Sequence, residues 1–256
     1  MSARIINDGF SNVYLYNAIG ASGLASSEFL VTCQMKLFQD LASYETPMVG
    51  ASTGTFSGGN DYWTAAVFNS PHRLSIGSDG GDTTHASAGP PPPGTWVRMA
   101  FQRISSGGSN RDQRWWMWDL DGTNEREVLR ADTTGLAYDA AARLCFGAPP
   151  YTTNEGIDGW MRCIKVWEIP RTKAEALAES RSGIIETGDG NTSLWGRWPC
   201  ISDGNDVSGN GRHLSIELNG SSATWLTFDG QPDPSDSGRS PNRIIRPRLF
   251  APGRAR

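Results

Sequence analysis

Apolar and polar residues alternate with a period of two along much of this chain. Phe29, Val31, Cys33, Met35 and Leu37 interleave with Leu30, Thr32, Gln34 and Lys36, the pattern of a strand with one face turned inward. Trp96–Arg103 repeats it, with Val97, Met99 and Phe101 on one side. Arg114–Leu120 places Trp116, Trp118 and Leu120 on one face and Trp115 and Met117 on the other. Asp121-Gly122 then turns the chain into a return strand starting at Glu127. Further strands are expected at Met48–Ala51, Trp63–Phe68, Arg73–Ile76, Leu144–Gly147, Gly159–Trp167, Ser193–Pro199 and Arg212–Leu218. Gly77–Gly94, with consecutive prolines at 90–93, reads as a stiff connector, because proline cannot donate to a ladder. Ser105–Arg111 reads as a polar hairpin loop. Short, evenly spaced strands separated by turn signals predict an all-β, two-sheet antiparallel sandwich rather than βαβ units.

The period changes to helical once. Thr172 and Glu175 stand at capping-box spacing, Ala174, Ala176, Leu177 and Ala178 follow, and Gly183 is placed to end the helix. From Gln231 onward the chain is rich in Pro, Ser and Arg and reads as an extended tail. The expected organisation is a segment at 1–28 packing on the sandwich, the sandwich at 29–230, and the tail at 231–256.

Composition sharpens this picture. A chain of 256 residues, 38% hydrophobic with ten Trp and nine Phe, supports a full core, and thirty Gly with fifteen Pro suits a fold of many turns. A net charge of −4 makes no case for nucleic acid or for a membrane surface. Positive charge gathers at the C-terminus. Six arginines lie between Ser237 and Arg256 with no acidic residue among them, which leaves the rest of the chain near −10. Cys33, Cys145, Cys163 and Cys200 form no C-x-x-C pair, so a zinc site is not expected. Buried thiols are the simpler reading, with a Cys145–Cys163 bridge the alternative. Met1–Ile6 is too short and polar for a signal-peptide core, and no run approaches the ~20 apolar residues of a membrane span.

Five segments taken in order resemble a known family. They are Trp96–Phe101, then Trp116-Met117-Trp118-Asp119-Leu120-Asp121-Gly122, then the pair Leu144–Gly147 and Gly159–Val166, then the helix at Thr172–Glu179. The last is Leu194-Trp195-Gly196-Arg197-Trp198-Pro199 followed by Asp206-Val207-Ser208-Gly209-Asn210-Gly211. Together they resemble the concanavalin A-like lectin/glucanase superfamily, in particular its laminin-G-like jelly rolls. In that family the aromatic strand with its Asp-x-Ser-Gly-Asn turn often opens the domain, whereas here it follows the helix. Either the C-terminal end supplies the first strand, or a second, incomplete unit begins there.

The resemblance implies recognition more than chemistry. Glycosidases share the fold, and retaining hydrolysis needs two carboxylates roughly 5 Å apart. The family's Glu-x-Asp-x-x-Glu strand is missing, and its nearest approach, Asp119-Leu120-Asp121, ends in a turn. There is no Gly-x-Ser-x-Gly elbow, P-loop or dinucleotide fingerprint. Members of the fold often hold Ca²⁺ in rim loops. The candidate loops here are Asp79–Asp82, Asn154–Asp158 and Asp203–Asn210, with Asp79, Asp82 and Asp158 as expected ligands. Glycan binding calls for an exposed aromatic platform beside amides or carboxylates, and Asn60, Asp61, Tyr62 and Trp63, with Tyr151 and Asn154, supply both. Trp115 would join them if its face were open. Arg243, Arg246, Arg248 and Phe250 are expected to dock the tail on a partner protein. The expectation is a non-enzymatic, lectin-like module of a virion or extracellular assembly. It would bind surface glycans, attach by its C-terminal arm and be made without its own signal peptide. The alternative is a polysaccharide-active hydrolase or lyase with a divergent catalytic pair.

Overall fold

The structure is a computed structural model describing residues 2–5, 12–18, 24, 28–37, 46–52, 62–69, 72–78, 83–85, 92, 94–107, 110–134, 143–147, 159–182, 193–200, 204–219 and 226–229. Among these the chain forms fifteen strands and one helix. The first strands are Ser2–Ile5 (β1), Asn12–Ala18 (β2), Phe29–Leu37 (β3), Thr46–Ser52 (β4) and Tyr62–Asn69 (β5). His72–Ser78 (β6), Thr83–His85 (β7), Trp96–Gly107 (β8), Asn110–Asp119 (β9) and Arg126–Thr134 (β10) follow. Arg143–Phe146 (β11) and Gly159–Trp167 (β12) precede the helix Lys173–Glu179 (α1). Leu194–Trp198 (β13), Ser215–Asn219 (β14) and Leu226–Asp229 (β15) come after it.

The strands make a two-sheet antiparallel jelly-roll sandwich. One sheet runs β10-β9-β8-β3-β12-β1-β15, with β13 also paired to β12, and the other runs β14-β2-β11-β4-β5-β6-β7. β1 lies along Gly159–Met161 of β12, while β13 takes the stretch from Ile164 to Trp167. Between the two, β12 bulges at Arg162–Lys165, where Cys163 adopts a left-handed φ of 55°. β14 and β15 pair with β2 and β1, so the segments after the helix complete this sandwich instead of starting another. β1 and β2, within the first 28 residues, join one sheet each.

β1, β2 and β15 are strands that the pattern reading does not mark, and several boundaries differ, β14 starting at Ser215 rather than at Arg212. β7 forms inside the stretch expected to be connector. β8 and β9 continue to a Gly107–Asn110 pairing, so the expected 105–111 loop is mostly ladder. Ladder bonds are made by the backbone, and a polar side chain at a strand end does not stop them. The helix forms as predicted, with both halves of the capping box, but it closes at Ser180 in right-handed geometry. Gly183 and the tail from Gln231 lie outside the described residues.

The β3, β8 and β9 pattern predicts two faces, and both are buried. Val31, Cys33, Met35, Met99, Phe101, Trp115 and Met117 meet Leu15, Leu74, Ile76, Leu144 and Phe146 between the sheets. Leu30, Ala100, Trp116, Trp118, Trp167 and Leu194 point the other way and pack with Ala176 and Leu177 of α1. Trp115 is thus fully buried between the sheets and offers no glycan surface. Trp116, Trp118 and Trp167 are buried, but under the helix and not between the sheets. All four cysteines are free thiols. Cys145 and Cys163 belong to different sheets, which leaves no ladder across which to bridge them. Burial, with smaller contributions from Cys200 and Cys163, pushes the Cys33 thiol well up, so it stays protonated and inert.

Candidate functional site

The helix is fastened to the outer face of the larger sheet by polar contacts. Lys165 Nζ and Glu179 Oε2 are 2.8 Å apart with both side chains fully buried. Gln34 on β3 donates to the carbonyl of Ser180 at 3.2 Å and accepts from Arg162 Nε at 2.7 Å. Gln102 on β8 accepts the Arg171 amide at 3.1 Å, which sets the chain just ahead of the helix. At the first turn, Thr172 Oγ1 accepts from the Glu175 amide at 3.3 Å, and Glu175 Oε2 accepts the Thr172 amide at 2.9 Å.

That attachment leaves a groove of about 520 Å³ between the start of α1 and strands β8, β9 and β10. Gln102, Arg114, Trp116 and Glu127 form its sheet wall, and Arg171, Lys173 and Glu175 its helical wall. Register explains the sheet wall: Gln102 stands opposite Arg114, and Trp116 stands opposite Glu127. Lys173 reaches across to Glu125 at 2.7 Å and Glu127 at 3.3 Å. Its hydrogen bond to Glu125 raises the Lys173 pKa, and the same bond lowers that of Glu125. The Arg171 guanidinium lies 5.2 Å from the Trp167 ring centroid. The groove's two carboxylates are therefore tied into structure, Glu127 to Lys173 and Glu175 to the helix cap. Its volume falls in the range of small-ligand sites, and its walls carry charged and hydrogen-bonding groups.

The Asp206 turn is a second polar cluster. Asp206 Oδ1 accepts the amides of Arg197 and Ser208 at 3.0 and 2.8 Å, and Oδ2 accepts the Ser208 hydroxyl and the Arg212 amide at 2.8 and 2.9 Å. Asn210 Nδ2 donates to the carbonyls of Leu194 and Trp195, and Trp198 Nε1 donates to the Arg212 carbonyl at 2.7 Å. Gly196 is needed here because any Cβ would collide with the Trp198 ring. Burial pushes the Asp206 carboxyl up, yet the hydrogen bonds from Arg197, Ser208 and Arg212 outweigh it and hold the pKa below its usual value. Within the Asp203–Asn210 calcium candidate, Asp206 is thus a turn lock whose oxygens face donors. Asp119 and Asp121 likewise hold a turn: Asp119 bonds Arg126 at 3.0 Å, and Asp121 accepts from the Thr123 amide and hydroxyl. Among the described residues no group of three or more His, Cys, Asp or Glu side chains is arranged to hold a metal ion.

The expected site residues fall mostly elsewhere. Tyr62 and Trp63 open β5, and only their backbones are described. Asn60, Asp61, Tyr151 and Asn154, the calcium candidates Asp79, Asp82 and Asp158, and the docking residues Arg243, Arg246, Arg248 and Phe250 lie outside the described residues. The groove beside α1 was not anticipated, although the Trp-rich alternation of β9 and the capping box of α1 were its available signal. No helix among the described residues is long and apolar enough to cross a membrane.

No family model matches the sequence, and no curated protein matches it. Solved structures do match the fold. A candidate carbohydrate-binding protein from Bacteroides ovatus aligns with a TM-score of 0.55 at 12% identity, covering 90% of this chain and 61% of its own. The CBM40 of Ruminococcus gnavus IT-sialidase, bound to α2,3-sialyllactose, aligns with a TM-score of 0.50 at 10% identity over 70% of this chain and 96% of its own. The enzymatically active domain of tailspike protein 2 from bacteriophage CBA120 aligns with a TM-score of 0.50 at 10% identity over 71% of this chain. The match spans 27% of that tailspike chain. At these identities the likeness is one of fold, a lectin-like jelly-roll sandwich.

Proposed function

We propose that the protein is a non-enzymatic, laminin-G-like carbohydrate-binding module that takes a short stretch of glycan in the groove beside α1. The groove itself carries this reading: about 520 Å³, walled by Gln102, Arg114, Trp116, Arg171 and Lys173 on rigid elements. Preorganised donors suit a sugar's hydroxyl-rich edge. The engagement of Glu127 by Lys173 and of Glu175 by Thr172 supports binding over acid–base catalysis, which needs a carboxyl free to exchange a proton. Calcium at Asp79, Asp82 and Asp158 belongs to the same reading through their loop carboxylates. Incubation with a polysaccharide panel, followed for both retention and chain cleavage, tests it. Retention without new reducing ends is expected. Cleavage abolished by Glu127→Gln or Glu175→Gln would establish the hydrolase reading instead.

The six arginines after Ser237 support attachment to a virion or other assembly through the C-terminal arm. A chain ending at Gln231 is expected to fold and to lose that attachment. Attachment that survived the truncation would remove the arm from the proposal.

A further inference from the structure

We infer that the groove beside α1 selects an acidic sugar, one whose ring bears a carboxylate or sulfate, and that Arg114 reads its charge. This rests on the glycan-binding reading above and adds the chemical class of the ligand.

The charges of the groove are almost all matched within the protein. Lys173 faces Glu125 and Glu127, and Glu175 faces Thr172. Arg171 is placed over Trp167 and reaches Ser193 Oγ at 3.4 Å. Arg114 differs. It stands mid-strand on β9 between Gln102 of β8 and Leu129 of β10, and it makes no ion pair or side-chain hydrogen bond among the described residues. Its Nε is shut away from solvent and has no acceptor. The indole N–H of Trp116, two residues along the same face and 1% exposed, also lacks one. A buried donor without an acceptor costs free energy, and such a group in a native fold points to a ligand or water that satisfies it. A cationic side chain that lines the groove without an ion pair or hydrogen bond among the described residues calls for an acceptor-rich anion. A guanidinium fork matches the paired oxygens of a carboxylate or sulfate. Across the ladder from Arg114, Leu129 is 47% exposed and offers apolar surface for the C–H face of a ring.

Calorimetric titration of the full chain with matched oligosaccharide pairs tests the inference. The pairs are trigalacturonate and its methyl ester, 3′-sialyllactose and lactose, and a sulfated and an unsulfated galactose oligomer. For at least one pair the acidic member is expected to bind roughly tenfold more tightly than its neutral partner, with affinity falling as salt rises. Arg114→Gln should remove that preference, and Arg114→Lys should restore part of it. Which pair responds separates carboxylate from sulfate recognition. Equal binding of acidic and neutral members, or a preference that survives Arg114→Gln, overturns the acidic-sugar inference while the glycan reading stands. Failure of every oligosaccharide to bind overturns both. The matched pairs on the unaltered protein keep the test decisive even if Arg114→Gln unfolds.

Discussion

The two faces of the eight-stranded sheet use the same strands for different ends. Toward the second sheet, β8 and β9 present Val97, Met99, Phe101, Trp115 and Met117, an apolar layer. Toward the helix, the alternate positions carry Gln102, Arg114, Trp116 and Trp118; the tryptophans pack with Ala176, Gln102 holds the Arg171 amide, and the buried Lys165–Glu179 pair ties β12 to α1. The first face is held by non-directional burial, which tolerates no gap. The second buries its own apolar cluster under α1 and adds directional polar contacts, with a groove left at the start of the helix. The inter-sheet core and the groove wall are thereby separated by one residue of register.

Substitutions can sharpen that contrast. Trp115→Ala on the inner face should have the largest effect, about 3–5 kcal/mol by chemical denaturation, because a fully buried ring leaves a cavity. If the loss is under about 1 kcal/mol, the inner face is not the tightly packed layer described. On the helix face, Glu179→Ala should cost about 3–4 kcal/mol by stranding a buried Lys165. The double change Lys165→Met with Glu179→Leu should recover most of that loss. Equal losses for the single and double variants would show that the pair stabilises beyond the penalty of an uncompensated charge.

The Asp206 turn predicts a smaller, pH-dependent effect. Its folded pKa is lowered, so the contribution is fully present above the unfolded value of about 3.9 and is lost as pH falls through the folded value. Asp206→Asn should cost about 1–2 kcal/mol at pH 7 through weakened hydrogen bonds. The gap between the variant and the parent should narrow toward pH 3, as read from urea midpoints. A gap that stays constant with pH would mean the charge of Asp206 is irrelevant to the turn. The smallest change is expected for Thr172→Ala, about 1 kcal/mol from the lost cap. It should also weaken glycan binding, because the cap sets the helical wall of the groove. Unchanged binding would place the ligand away from that wall.

Much of the architecture was legible along the chain. The alternation at Phe29–Leu37 and Trp96–Phe101, the Asp121-Gly122 turn and the Thr172/Glu175 box all became the elements they predict, because each is a local preference of backbone or side chain. The site was less legible. The aromatic residues at 62, 63 and 151 with their polar neighbours are obvious in sequence, whereas the groove requires Gln102, Arg114 and Glu127 from three strands to meet Lys173 from the helix. No short spacing brings those residues together.

The sequence by itself determined which residues of each strand share a face, since side chains on a strand alternate by geometry. It also determined where the helix starts, since a capping box is complete within four residues. Only the tertiary structure decided which face would meet the second sheet and which the helix. Both faces of β9 carry tryptophan, so hydrophobicity alone did not distinguish Trp115 from Trp116. The same holds for β14 and β15, which pair with β2 and β1 across nearly the whole chain length. Such long-range pairing is settled by register and packing among distant segments, which a local pattern does not encode.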